Sequence, residues 1–148
     1  MIRVKQTEGE QMHYRVADAG NPYEAIVASF AMKVAVAELK IEAPKLCFVQ
    51  NTIKSCADLE TREDIIGLAR GGGKQIFVRT GLDHKNLVDT IFHECRHAMQ
   101  FQRGITFNRE HRERDARIYA LELMTKIGDP PEWRVLEFLT KKLNEKGL

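Results

Sequence analysis

Residues 83–104 read DHKNLVDTIFHECRHAMQFQRG. Asp83 offers a side-chain oxygen for the free N–H groups of a first helical turn, and Gly104 suits a helix end. The spacing therefore predicts a helix over 83–103. At about 100° per residue, Leu87, Val88, Ile91, Phe92, Cys95, Ala98 and Met99 form one apolar arc. His93 and His97 fall on the opposite side, so the helix is expected to pack its back on a core and aim both imidazoles into a cleft. Histidines at i and i+4 lie roughly 5–6 Å apart at Cβ and reach one ion. Glu94 projects beside the pair, placed to take a proton from water activated at a metal. Chance placement of the five histidines and fourteen glutamates yields roughly 0.02 such matches, so the motif alone is a hypothesis, and its place opposite the apolar arc is what strengthens it.

A catalytic zinc site usually has three protein ligands and one open position. The third ligand is sought in the next predicted helix, 109–127, capped by Asn108 and stopped by Gly128. Its apolar stripe is Ala116, Tyr119, Ala120, Leu123, Met124 and Ile127. Glu113 falls at the margin of that stripe. His111 and Asp115 fall on the other side, with Glu122 and Lys126. A core-facing carboxylate is costly unless paired or metal-bound, so Glu113 is the expected third ligand. His111 stays open as an alternative ligand if the helix starts after it, or as a stabiliser of the reaction's oxyanion. Tyr119 and Arg96 are further donors for that role, although Tyr119 sits on the apolar stripe. Asp115 is placed to orient a ligand histidine from outside. Cys95 belongs to the apolar arc and reads as a small core residue.

Upstream, Asn21-Pro22 opens an amphipathic helix over 22–40, with Ile26, Val27, Phe30, Val34 and Leu39 at helical spacing. Two short strands, Ile2–Thr7 and Met12–Ala17, are expected before it. Leu46–Val49 reads as a buried strand, and Asn51–Asp64 as a polar stretch. Ile65–Ala69 and Gln75–Thr80 flank the hairpin turn Gly71–Lys74. That turn is not a phosphate loop, because GxxxxGK[ST] is absent and no helix follows at once. Asp129-Pro130-Pro131 opens a last helix to about residue 145. The expected class is α+β over a single domain, 1–148. It combines a small, largely antiparallel sheet with an N-terminal helix, the histidine helix and two more C-terminal helices.

The bulk numbers set the class. A chain of 148 residues with 43% hydrophobic and 30% charged side chains builds a core without disulfide staples. Cys47, Cys56 and Cys95 form no disulfide framework and suit a reducing compartment. The start has no signal-peptide pattern, and the apolar region 25–39 is too short to span a bilayer. These features lead to the expectation of a cytoplasmic protein with no membrane partner. The formal net charge of +2 does not favour nucleic acid as a partner. Arg103, Arg109, Arg112, Arg114 and Arg117 nevertheless cluster near the site. Such a run is usually a solvated face, but it would also suit an acidic substrate or a nucleic-acid-bound one.

His93-Glu94-x-x-His97 followed by Glu113-x-x-Ala116-x-x-Tyr119-Ala120 resembles the gluzincin-type zinc metallopeptidases, and among them the small ImmA/IrrE-like peptidases. The resemblance covers roughly residues 64–127. It implies a zincin-like fold and a zinc ion (Zn2+) held by His93, His97 and Glu113. It also implies Glu94 as general base and a protein or peptide substrate. The strand before the metal helix is in such families the sheet edge that pairs with an extended substrate, which would give Gln75, Phe77 and Arg79 a substrate-binding role. The chain departs from the pattern at Arg96, where a small residue usually precedes the second histidine. A second resemblance, to SprT-like proteases, would use His111 as the third ligand, but Arg112 stands where glycine is expected. That alternative implies a metal-binding regulatory or nucleic-acid-associated module with little proteolysis of its own.

Overall fold

A computed structural model describes residues 16–50 and 67–128. The expected strand 2–7, most of 12–17, the polar stretch 51–64, the start of the strand at 65–69 and the last helix lie outside these residues. The described elements are β1 (Val16–Ala17), α1 (Pro22–Leu39), β2 (Lys45–Val49), β3 (Gly67–Arg70), β4 (Gln75–Arg79), α2 (His84–Gln102) and α3 (Arg109–Ile127).

Each helix begins where a side chain replaces a missing helical acceptor. Asn21, Asp83 and Asn108 accept the backbone N–H groups of Glu24, Asn86 and His111 at 2.9, 2.9 and 2.8 Å. Such caps are worth about 1 kcal/mol each. Lys40, in the left-handed region at φ 57°, closes α1. Gly104 and Gly128 follow the ends of α2 and α3 with positive φ.

The sheet runs in the order β1-β2-β4-β3. β1 pairs with β2 and β2 with β4 in parallel; only β3 and β4 are antiparallel. The expectation of a largely antiparallel sheet is therefore corrected to a mixed one. The β3–β4 hairpin was legible because its turn, Gly71-Gly72-Gly73, supplies the positive φ angles it needs. The parallel partners are distant in sequence, β1 and β2 being joined through α1 and β2 and β4 separated by β3, so neither pair leaves a local turn signal. On one face of the sheet, Leu46 and Phe48 of β2 stand beside Ile76 and Val78 of β4, all buried. Each such side chain contributes about 1.5–3 kcal/mol on leaving water.

α2 is the central element, packed against α1, α3, β3 and β4. Its arc Leu87, Val88, Ile91, Phe92, Cys95 and Ala98 is fully buried, as the periodicity requires. Gly73, at φ +88°, rests on α2: a Cβ there would lie 2.5 Å from the Ala98 carbonyl oxygen. Gln102 straps the same end, donating to the carbonyls of Glu42 and Gly73 and accepting the Glu42 N–H, each at 2.9 Å. At the other end, the buried Glu24 accepts the N–H groups of Gly20 at 2.7 Å and Gly81 at 2.6 Å. That clamp ties the start of α1 to the loop that launches α2. No helix among the described residues is long and apolar enough to cross a membrane.

Candidate metal centre

α2 presents His93 and His97 on one side, and α3 brings Glu113 to meet them. The ligand atoms of the three residues all lie within 4.8 Å of one another. His93 Nε2 is 3.2 Å from Glu113 Oε1, and His97 Nε2 is 3.0 Å from Oε2, so the carboxylate spans both rings. The rings meet edge to face at 4.8 Å between centroids. Glu94 lies beside them with 6% of its surface exposed. The group lines a cleft of about 540 Å³ with Gly67, Leu68 and Ala69 of β3, Asp89, Thr90 and Phe101 of α2, and Arg109, Arg112 and Arg117 of α3.

His97 is nearly as buried as the apolar arc, at 6% exposure, which contrasts with its place on the polar side of the helical wheel. The reason is a second layer that the wheel does not contain: α3 packs over that side of α2. A chain of polar contacts makes the burial tolerable. His97 Nδ1 lies 2.8 Å from Gln100 Oε1, and Gln100 Nε2 donates to Asp115 Oδ2 at 2.9 Å and to the Arg112 carbonyl at 3.2 Å. Both outer partners accept only, so Gln100 must turn its amide nitrogen toward them and its oxygen toward His97. The proton of neutral His97 is thereby held on Nδ1, leaving the Nε2 lone pair for a ligand. Arg96 grips Asp115 with two bonds, Nε at 2.8 Å and a terminal nitrogen at 3.2 Å. Asp115 thus reaches His97 through Gln100.

The electrostatics follow the geometry. Contact with the His93 and His97 imidazoles, led by the His93 hydrogen bond, holds the Glu113 carboxyl well below the usual carboxylate range. Burial pushes Glu94 upward, against the opposing pull of His97 and His93. Burial disfavours the charged form of His97, but Glu113, Glu94 and Gln100 outweigh it and its pKa is raised. Arg96 is the main cause of the lowered pKa of Asp115. Burial raises the Cys95 thiol, whose sulfur sits 3.7 Å from that of Met32, so Cys95 is core and not a ligand.

The residues present suit a zinc ion. Two imidazole nitrogens and one carboxylate converge, which matches a catalytic donor set. His97 Nε2 is buried without a hydrogen bond; its 3.0 Å approach to Glu113 lacks hydrogen-bond alignment. A buried nitrogen in that state is costly unless something else binds it.

Other expected residues fall elsewhere. His111 is exposed, meets Phe107 edge to face at 6.2 Å and stands outside the ligand group. Tyr119 donates its hydroxyl to Glu38 at 3.0 Å. The Arg96 guanidinium lies over the Tyr119 ring at 5.0 Å and binds Asp115. None of the three lines the cleft. Gln75, Phe77 and Arg79 lie on β4, whose backbone is paired on both sides, so the edge role expected of them is corrected. Among the described residues, β3 is the outer strand on that side, and Gly67–Ala69 borders the cleft.

The sequence reading passed over Gln100 and Gly67. Gln100 sits three residues after His97, on the same helical face, and that spacing was a usable signal. Gly67 had none. A Cβ at Gly67 would lie 2.6 Å from Thr90 Cγ2 and 3.0 Å from Glu94 Cγ, so glycine lets β3 close against the site. No family model, curated protein or solved structure matches this chain.

Proposed function

We propose that the chain is a zinc-dependent metallopeptidase of the gluzincin type that the ImmA/IrrE-like resemblance implies, with His93, His97 and Glu113 as ligands and Glu94 as general base. The observation that carries this reading is the convergence of three ligand side chains from two helices beside a buried glutamate, in one open cleft. A bound zinc ion supplies Lewis acidity, activating water at neutral pH and polarising the carbonyl under attack. Glu94 takes the proton of the attacking water and returns it to the leaving amine. Its burial-raised pKa suits both halves of that task. Gln100 keeps His97 in the tautomer and orientation of a ligand. Phe101, stacked on His97 at 6.5 Å between centroids, covers one flank of the site.

The test is metal content after purification without chelator. Wild type is expected to hold one zinc per chain, and His97→Ala and Glu113→Ala to lose it. Stoichiometric zinc surviving both substitutions would overturn the assignment. Cleavage of a proteome-derived peptide library by the zinc-loaded wild type then tests the reaction itself.

A further inference from the structure

The three arginines that line the cleft all come from α3. Arg109 precedes Glu113 by one helical turn, Arg117 follows it by one turn, and Arg112 is its neighbour, so the positive charges bracket the ligand carboxylate on one helix face. The other arginines of this basic run are committed. Arg114 pairs with Glu110, Arg96 with Asp115, and Arg103 with the Leu39 carbonyl and the Met99 sulfur. Arg112 donates one terminal guanidinium nitrogen to the Phe107 carbonyl at 3.0 Å, which positions the head group. Among the described residues, no carboxylate pairs with Arg109, Arg112 or Arg117. Glu113, next to Arg112 and one turn from Arg109 and Arg117, is held by His93 and His97.

We infer that this arginine side of the cleft selects peptides with acidic side chains flanking the bond to be cleaved. The inference rests on the peptidase reading and adds a substrate class to it. Its chemistry is specific in two respects. Among the described residues the cleft contains arginine and no lysine, and the planar guanidinium grips a carboxylate through two parallel hydrogen bonds. Asp89 and Glu94 of α2 border the same cleft. A continuous phosphate backbone would be repelled there, whereas discrete carboxylates at alternate positions of an extended chain share one side and reach α3 alone. Arg109 and Arg117 are about 12 Å apart along the helix axis. An extended peptide laid along α3 covers that interval in about four residues, so two acidic side chains four positions apart, one on each side of the scissile bond, share the face toward the two arginines.

The probe is the zinc-loaded Glu94→Gln chain, which holds peptide without turnover, titrated with three fluorescent peptides of one length. They carry Asp and Glu, Asn and Gln, or Lys at the two flanking positions. The acidic peptide is expected to bind about three- to tenfold more tightly than its amide counterpart, since Arg109 and Arg117 are solvent-exposed. Arg109→Glu and Arg117→Glu in the same background are expected to reverse the order in favour of the lysine peptide. The comparison is internal to each variant, with its zinc content measured, so a folding defect cannot imitate a reversal. Equal binding of acidic and amide peptides, or an unchanged order in both charge-reversed variants, overturns the inference. So does displacement of the acidic peptide by a single-stranded oligonucleotide at lower concentration than by the unlabelled peptide. Acid-selective binding without cleavage by the wild type retires the peptidase reading alone. Cleavage with no acid preference retires only this inference.

Discussion

Two buried glutamates have opposite circumstances. Glu24, at 3% exposure, spends both carboxylate oxygens on backbone N–H groups, those of Gly20 and Gly81. Glu94, at 6%, is bonded by no donor among the described residues, stands between two histidines and borders an open cleft. Burial of a charge is costly, and it is tolerated when hydrogen bonds replace water. Glu24 meets that condition and holds two segments together. Glu94 does not, and burial raises its pKa. Equal burial therefore goes with different surroundings, backbone N–H groups at Glu24 and an open cleft beside imidazoles at Glu94.

The same substitution at both sites breaks or upholds this contrast. Glu94→Gln is expected to keep zinc and fold stability while peptide cleavage falls by about 10²- to 10⁴-fold, measured as kcat beside metal content. Undiminished cleavage would remove Glu94 from the role of base. Glu24→Gln should do the reverse. An amide cannot accept with both atoms, so one glycine N–H is stranded and the unfolding free energy should drop by about 2–4 kcal/mol in urea titration. Zinc stoichiometry should survive, and a stable Glu24→Gln protein would contradict the clamp.

The contrast sharpens at Gly67, which shapes the space around Glu94. Gly67→Ala forces a methyl group against Thr90 and Glu94 and is expected to cost about 1–3 kcal/mol. Adding Thr90→Ser removes the methyl group 2.6 Å away and should recover part of that loss; no recovery would place the strain elsewhere. The smallest effect is expected at Gln100, which is 0% exposed. Gln100→Leu fills the volume but cannot orient His97, so zinc affinity in a chelator competition should fall about 10- to 100-fold. Unchanged affinity would mean that His97 needs no such support.

Comparison of the two helices at the site separates what was legible from what was not. α2 announced itself through Asp83, Gly104 and an unbroken apolar arc, all properties of neighbouring residues. His93, Glu94 and His97 share one turn, so helical geometry alone brought them together. Glu113 was reachable because α3 keeps a short apolar stripe, Ala116, Tyr119, Ala120 and Leu123, and its carboxylate fell at the margin of that stripe. The roles weighed for His111, Tyr119 and Arg96 turned on side-chain direction. That is set by Phe107, Glu38 and Asp115 respectively, and periodicity carries no information about such contacts.

The sheet divides in the same way. The hairpin β3–β4 was written in its glycines. That β4 is internal and β3 borders the cleft depends on β2 pairing with β4 across a long sequence separation. The sequence by itself determined the helices, their caps, the buried arc of α2 and the local His93-Glu94-His97 geometry, because each arises from interactions within a few residues. Only the tertiary structure decided that α3 covers His97, that Gln100 and Asp115 hold it, that Gly67 admits β3, and that Arg109, Arg112 and Arg117 face the same cleft. Those facts depend on how distant surfaces pack, and packing is settled by the whole chain at once.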